Sequence, residues 1–212
     1  MRKLPVYLLL DTSGSMHGEP IDAVRNGMQT LLSALRQDPH ALESAWLSVI
    51  TFAEAAQQAT PLTELGQFQL PALTASGTTS MGAALKLLAE RVGLEVAKTT
   101  ADQKGDWKPI VFLMTDGDAT DDLAAGIDAV RQARLGTVIA CAAGPHANVP
   151  ELQRITESVV RLDTADSNTI RAFFKWVSAS IATTSQKVDL TKKDANGLAD
   201  LPPPPPEVNV VL

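Results

Sequence analysis

The 212-residue chain contains one cysteine, Cys141. No disulfide can form within it, and a zinc site built on cysteine thiolates is excluded. Cys141 lies inside an apolar run and reads as a core residue rather than a nucleophile, because free cysteine is among the most buried side chains. Positive charge is also short: 18 Lys and Arg stand against 24 Asp and Glu, a net charge of −6. A nucleic-acid-binding face would need a basic surface to neutralise phosphates and is not expected. No run of Lys or Arg flanks an apolar helix, so a membrane-surface role has no support. Long hydrophobic stretches are missing too, since none reaches the roughly 20 apolar residues of a membrane span. Met1, Arg2 and Lys3 followed by Leu4–Leu10 have the layout of a secretory signal, but the run is short, holds Pro5 and enters Asp11 without a small-residue cleavage site. The expectation is a cytoplasmic protein. The phosphate-cradling loops G-x-x-x-x-G-K and G-x-G-x-x-G are absent. So is the elbow G-x-S-x-G, which leaves Ser15 and His17 without the setting of a nucleophilic pair.

What is present is a regular alternation. The chain is 45% apolar, enough for one core, and a prior of about 150 residues per domain predicts one domain with some excess chain. Val6–Leu10 is a continuous apolar run, as a strand buried on both faces requires. Trp46–Phe52, Ile110–Met114, Thr137–Ala142 and residues 159–162 read as further strands. Residues 56–64 read as an antiparallel edge strand, because Pro61 cannot donate to a ladder. Between them lie amphipathic helices: from about Pro20 (Ile21, Val24, Met28, Leu31, Leu32, Leu35), from Met81 to Val92, from Leu123 to Val130, over 149–157, and from 167 to about 183 (Ile170, Phe173, Phe174, Val177, Ile181). Strands alternating with helices predict a doubly wound α/β fold: a mostly parallel six-stranded sheet, helices on both faces, one antiparallel edge strand.

This pattern covers residues 1–183. Residues 184–212 form a polar and proline-rich tail, with Pro202–Pro206 favouring a polyproline II spacer. Val208, Val210 and Val211 have the composition to add a strand to an open sheet edge, in this chain or on a partner.

Three loops carry the chemistry. D-T-S-G-S places Asp11, Ser13 and Ser15 where the first strand ends. S-G-T-T-S-M-G places Thr78 and Thr79 just before a helix. T-D-G-D places Asp116 after the strand at 110–114. All three fall at the carboxyl ends of strands, where open α/β sheets bind ligands. The donors are two carboxylates and three or four hydroxyls, a hard oxygen set that suits Mg²⁺, with Mn²⁺ or Ca²⁺ as substitutes, better than zinc. Mg²⁺ prefers octahedral oxygen at roughly 2.0–2.1 Å and keeps some waters, so a position is left that a partner's Asp or Glu can fill. Within the third loop, Asp121 or Thr120 is expected to cap the following helix, and Asp118 to face solvent. His17, His40 and His146 are expected at the surface, and Trp176 is expected to pack with its helix.

D-x-S-x-S, a later Thr and T-D-G, in this order, resemble the metal-ion-dependent adhesion site of von Willebrand factor A-type (vWA) domains. The resemblance covers residues 3–183. It implies Asp11, Ser13 and Ser15 as the first ligand group, Thr79 as the second and Asp116 as the third, the two Asp often acting through water. The spacing to Gly82 favours Thr79 over Thr78, although Thr78 stands where relatives often have a second Gly. The stretches VYLLLDTSGSMHGEPI, SGTTSMGAAL, TDGDATDD and FFKWVSASI resemble the TerY-like branch, linked to tellurite resistance and stress response. That branch implies a protein kinase and a PP2C-type phosphatase as partners. The expected function is a non-enzymatic, metal-dependent protein-interaction module. Two other functions compete with it. One is a Mg²⁺-dependent phosphohydrolase, against which Ser13 stands in place of the second Asp of D-x-D. The other is a scaffold that acts through residues 201–212.

Overall fold

The computed structural model describes residues 2–191 and 197–211, without the side chains of residues 189–191; residues 192–196 and Leu212 of the tail lie outside it. The sheet is built from β1 (Leu4–Asp11), β2 (Ala45–Phe52), β3 (Ala56–Glu64), β4 (Ile110–Thr115), β5 (Val138–Ala143), β6 (Val159–Leu162) and β7 (Asn209–Val211). Its order is β3-β2-β1-β4-β5-β6-β7. β1, β2, β4, β5 and β6 run parallel, while β3 and β7 are antiparallel edges. β1 is central and buried along its whole length, which is why it reads as an unbroken apolar run.

Helices cover both faces. α1 (Glu19–Leu35), α2 (Pro39–Ser44) and α6 (Ser167–Thr191) lie on one, and α3 (Met81–Glu95), α4 (Leu123–Gln132) and α5 (Val149–Ile155) on the other. Alternate residues of β1 divide between the two cores: Leu4, Val6, Leu8 and Leu10 join the α1/α6 side, and Tyr7 and Leu9 the α3/α4 side. α1 packs against α6 at Gly27, where a Cβ would come within 2.3 Å of the Phe174 ring. Cys141 is fully buried, and desolvation pushes its thiol pKa up, so it takes no part in surface chemistry. No helix among the described residues is long and apolar enough to cross a membrane.

The sheet has seven strands where six were expected, and two antiparallel edges where one was expected. The additional strand comes from the tail: Val211, Val210 and Asn209 pair with Val159, Val160 and Arg161, closing the open edge of β6. α6 also runs on to Thr191, well past residue 183. The tail then returns along α6. The Trp176 indole N–H donates to Pro202 O at 2.8 Å, Lys187 pairs with Asp200, and Leu201 and Val208 are buried in the α1/α6 core. Trp176 therefore packs as expected and in addition holds the proline segment. The one-turn helix α2, absent from the sequence reading, is capped by Asp38, whose Oδ1 accepts from Ala41 N at 2.8 Å.

If the tail is an integral layer, replacing Leu201 and Val208 together by Ala removes buried apolar volume. It should lower the unfolding free energy by roughly 3–5 kcal/mol in urea titrations. An unchanged midpoint would show that the tail does not pack in solution.

Candidate metal centre

Strand order reverses between β1 and β4, because the chain leaves β1 for β2 and β3 on one side and then crosses to β4 on the other. The crevice at their carboxyl ends receives Asp11, the last residue of β1, and Asp116, the first residue after β4. Asp11 is 1% exposed. Its Oδ1 accepts from Ser13 N at 2.7 Å and its Oδ2 from Thr115 Oγ1 at 2.5 Å. The Ser13 and Ser15 hydroxyls lie 3.0 Å apart, and Ser15 Oγ donates to Asp116 Oδ1 at 2.7 Å. The two carboxylates are thus joined through two serines, Asp11 by the Ser13 amide and Asp116 by the line of Ser13 and Ser15 hydroxyls.

Thr79 enters from the second loop. It is buried, and its Oγ1 would sit 3.9 Å from a Cβ placed on Gly117, next to Asp116. Thr78 is exposed, and its hydroxyl turns toward Ala53 O at 3.5 Å. The structure therefore brings together Asp11, Ser13, Ser15 and Asp116 by direct contacts, with Thr79 facing the third loop and Thr78 turned away.

Backbone contacts fix this placement. Gly14 N donates to Gly77 O at 3.0 Å, Ser76 N to Thr12 O at 2.8 Å, and Ser80 N to Ala53 O at 2.8 Å. Gly77 has φ +73°, a conformation that favours glycine, and a Cβ there would come within 2.5 Å of the Glu54 side chain. Thr79 is held from the other side, its N–H donating to Thr120 Oγ1 at 3.0 Å and its C=O accepting from Thr120 N at 2.9 Å.

Asp121 does not cap the helix that follows it. Its two oxygens accept from Gly82 N (2.8 Å) and Ala83 N (2.7 Å), at the start of α3, while Asp122 caps α4 through Ala125 N. The crossing of the two helices explains the swap. A Cβ on Gly82 would lie 2.3 Å from Asp122 O, and one on Gly126 2.6 Å from Gly82 O, so α3 and α4 touch backbone to backbone. That brings the third loop over the open amides of α3, and nothing in the local sequence marked Asp121 for the role. Thr115, which also went unremarked, is the direct partner of Asp11. Asp118, His17 and His146 are exposed and His40 is half-buried.

Electrostatically the site is one-sided. Burial is the main influence on the Asp11 carboxyl and pushes its pKa above the ordinary value; Asp116 adds to this, while the hydrogen bonds from Ser13 and Thr115 oppose it. Among the described residues no Lys, Arg or His pairs with Asp11 or Asp116. A buried carboxylate beside a second carboxylate, with no cation, is an unfavourable arrangement that a bound cation relieves. The donors at hand are carboxylate and hydroxyl oxygens, and among the described residues no three His, Cys, Asp or Glu side chains converge as a metal cluster. This oxygen set fits a hard divalent ion, with Asp11, Ser13, Ser15, Thr79 and Asp116 as the residues able to hold it.

The model of the von Willebrand factor type A domain matches residues 6–176. The chain belongs to the von Willebrand factor type A domain family. Comparison with curated proteins gives no match. Among solved structures, proximal thread matrix protein 1 from the mussel byssus superposes with a TM-score of 0.64 at 20% identity, covering 85% of this chain and 48% of that one. A von Willebrand factor type A structure from Catenulispora acidiphila gives 0.63 at 20% identity, with coverages of 86% and 43%. The PilB minor pilin from Streptococcus sanguinis gives 0.65 at 12% identity, with coverages of 85% and 61%. At these identities the likeness is one of fold. The vWA chain spans about half the length of the mussel and Catenulispora chains it matches. One structure of the mussel protein has zinc in its MIDAS motif, the metal-ion-dependent adhesion site.

Asp11 makes its own contribution to the pH dependence of the metal-free vWA domain. Its folded-state pKa lies above the unfolded value, so the folded state holds the proton more tightly. The contribution of Asp11 to stability is most favourable below the ordinary carboxyl value of 3.8 and is lost as pH rises from there through the raised folded value. In EDTA, Asp11→Asn should therefore gain stability relative to wild type as pH increases through this window, read as a growing difference in Tm. A difference that stays flat with pH would show that Asp11 is not held in a desolvated, cation-free setting.

Proposed function

We propose that this vWA domain is a non-enzymatic, metal-dependent protein-interaction module, in which Asp11, Ser13, Ser15, Thr79 and Asp116 hold Mg²⁺, with Mn²⁺ or Ca²⁺ able to substitute. The observation that carries this reading is the buried Asp11 carboxylate, joined through Ser13 and Ser15 to Asp116, with no cation among the described residues paired to either end. A bound divalent ion supplies an open coordination position that an Asp or Glu of a partner completes. The residues of this chain hold and orient. Thr115 and the Ser13 amide fix Asp11, Thr120 fixes Thr79, and the Asp121 cap fixes the helix that follows Thr79. Residues 1–183 carry the module, and within the tail of residues 184–212 it is Leu201, Val208 and β7 that brace it.

The TerY-like resemblance supports a role for the module in a cytoplasmic tellurite-resistance or stress and phosphorylation system, with a protein kinase and a PP2C-type phosphatase as the protein partners we propose. The zinc seen in the mussel protein's motif supports a divalent site in this family, and the oxygen-only donor set here supports Mg²⁺ as its occupant. A tail-driven scaffold has less support, because Leu201, Val208 and β7 are already engaged within the chain.

The test has two arms. Calorimetric titration of Mg²⁺ should show one site per chain, lost in Asp116→Ala. A pull-down from the host lysate should then recover the same partner with wild-type protein in Mg²⁺, and not in EDTA or with Asp116→Ala. Retention in all three conditions would overturn the metal bridge. Metal-dependent phosphate release abolished by Asp11→Asn would replace the module with a phosphohydrolase.

A further inference from the structure

The opposite end of the sheet carries a second concave site. The loop of residues 96–109 connects α3 to β4, and β4, at about 3.3 Å per residue, separates it from Asp116 by roughly 20 Å. Between this loop and the last turns of α3 and α4 lies a cavity of about 420 Å³. That volume is within the roughly 300–1,000 Å³ range of small-molecule sites. Val92, Val96, Trp107 and Ala133 form its apolar walls.

Three features distinguish it from a packing defect. First, its wall is built. Asp106 Oδ2 accepts from Ala97 N at 2.9 Å and Oδ1 from Lys3 N at 2.9 Å, Asp106 N donates to Ala97 O at 2.9 Å, and Arg2 Nε donates to Gly105 O at 2.6 Å. A Cβ at Gly105 would come within 2.3 Å of Ala97 O, so the two sides of the loop touch. Arg2 also stacks on the Trp107 ring, 3.4 Å from its centre, and closes the wall from behind.

Second, the charge reverses. In a chain of net charge −6, the lining holds Lys98, Lys108 and Arg134 against a single carboxylate, Asp106, which is already engaged by two backbone amides. Among the described residues no carboxylate pairs with Lys98 or Arg134.

Third, the mouth is kept open. Gly93 lies within α3, where glycine costs about 1 kcal/mol relative to alanine. Its φ is not positive, and a Cβ there would meet nothing within 4 Å, so neither strain nor crowding requires it. Its effect is to leave space at the cavity.

We propose that this cavity binds a small amphipathic anion, with an apolar body of aromatic size seated against Val92, Val96 and Trp107 and its anionic group met by Lys98 and Arg134. The site is independent of the metal centre and is tested in EDTA, so failure of one reading leaves the other untouched. The probes are 8-anilino-1-naphthalenesulfonate and N-phenyl-1-naphthylamine, which share one apolar body and differ by the sulfonate.

The sulfonate probe should bind the full chain at one saturable site, about tenfold or more tighter than the neutral probe, and the Lys98→Gln/Arg134→Gln variant should lose that margin. Gly93→Trp fills open space without a backbone clash and should abolish binding of both probes while keeping the wild-type urea transition. Ala133→Trp provides a second filling variant. Equal affinity for the two probes, or sulfonate binding unaffected by both filled variants, would overturn the proposal.

Discussion

The constraint from which the rest follows is the burial of a carboxylate at the end of the central strand. β1 is covered on both faces, so its last side chain is delivered into a desolvated crevice, and that side chain is Asp11. The chain answers with hydrogen bonds, from the Ser13 amide and the Thr115 hydroxyl, and with no positive charge among the described residues. Hydrogen bonds lower the cost of the buried charge without removing it, as the upward shift of Asp11 shows. The apo site is therefore strained electrostatically toward cation uptake. Replacing Asp11 with an apolar residue would relieve the strain and discard the affinity with it.

Holding Thr79 opposite this carboxylate is a problem of helix packing. Gly82 and Gly126 let α3 and α4 approach at the backbone, and the approach carries Asp121 over the first amides of α3. One carboxylate then satisfies two donors that a helix start leaves open, and its favourable position at the positive end of the helix dipole adds to the hold. Thr120 and Thr79 complete the clasp through reciprocal backbone and hydroxyl contacts. The second and third loops behave as one unit as a result. A side chain added at Gly126 would disturb the metal centre from a distance, by prising the helices apart rather than by touching a ligand.

These layers differ in how far the sequence reveals them. The continuous run Val6–Leu10 and the amphipathic α1 are consequences of local burial, so periodicity alone places them, and with them the strand ends that carry Asp11 and Asp116. The spacing to Gly82 points to Thr79, which is buried, whereas Thr78 is exposed. β7 was legible only as composition, in the valines at 208, 210 and 211; three residues after a proline run have no period to read, and the choice of this chain's own edge depends on β6 being left open. The continuation of α6 beyond residue 183 is hard to read for a related reason: its last turns are polar in sequence, yet Thr184, Ser185 and Val188 are buried. Asp121 misled because capping rules are local, whereas its partners lie 38 and 39 residues away across a helix crossing.

Charge along the strand direction links the two ends of the molecule. The loops at the carboxyl ends of β1, β2, β4, β5 and β6 hold Asp11, Glu54, Asp116, Asp118, Asp121, Asp122, Asp163 and Asp166 and contain no Lys or Arg. At the amino ends Arg2, Lys3, Arg36, Lys98, Lys104, Lys108 and Arg134 outnumber Asp38, Asp102, Asp106 and Glu157. A field of this polarity concentrates cations at the Asp11 end. It also repels any acidic protein surface that approaches while the cation is missing. In the proposed module, then, selectivity for the metal-loaded state does not need a conformational change. An acidic partner residue meets like charges in the apo protein and a coordination position in the loaded one, and the same rim favours partners whose key carboxylate is flanked by basic residues.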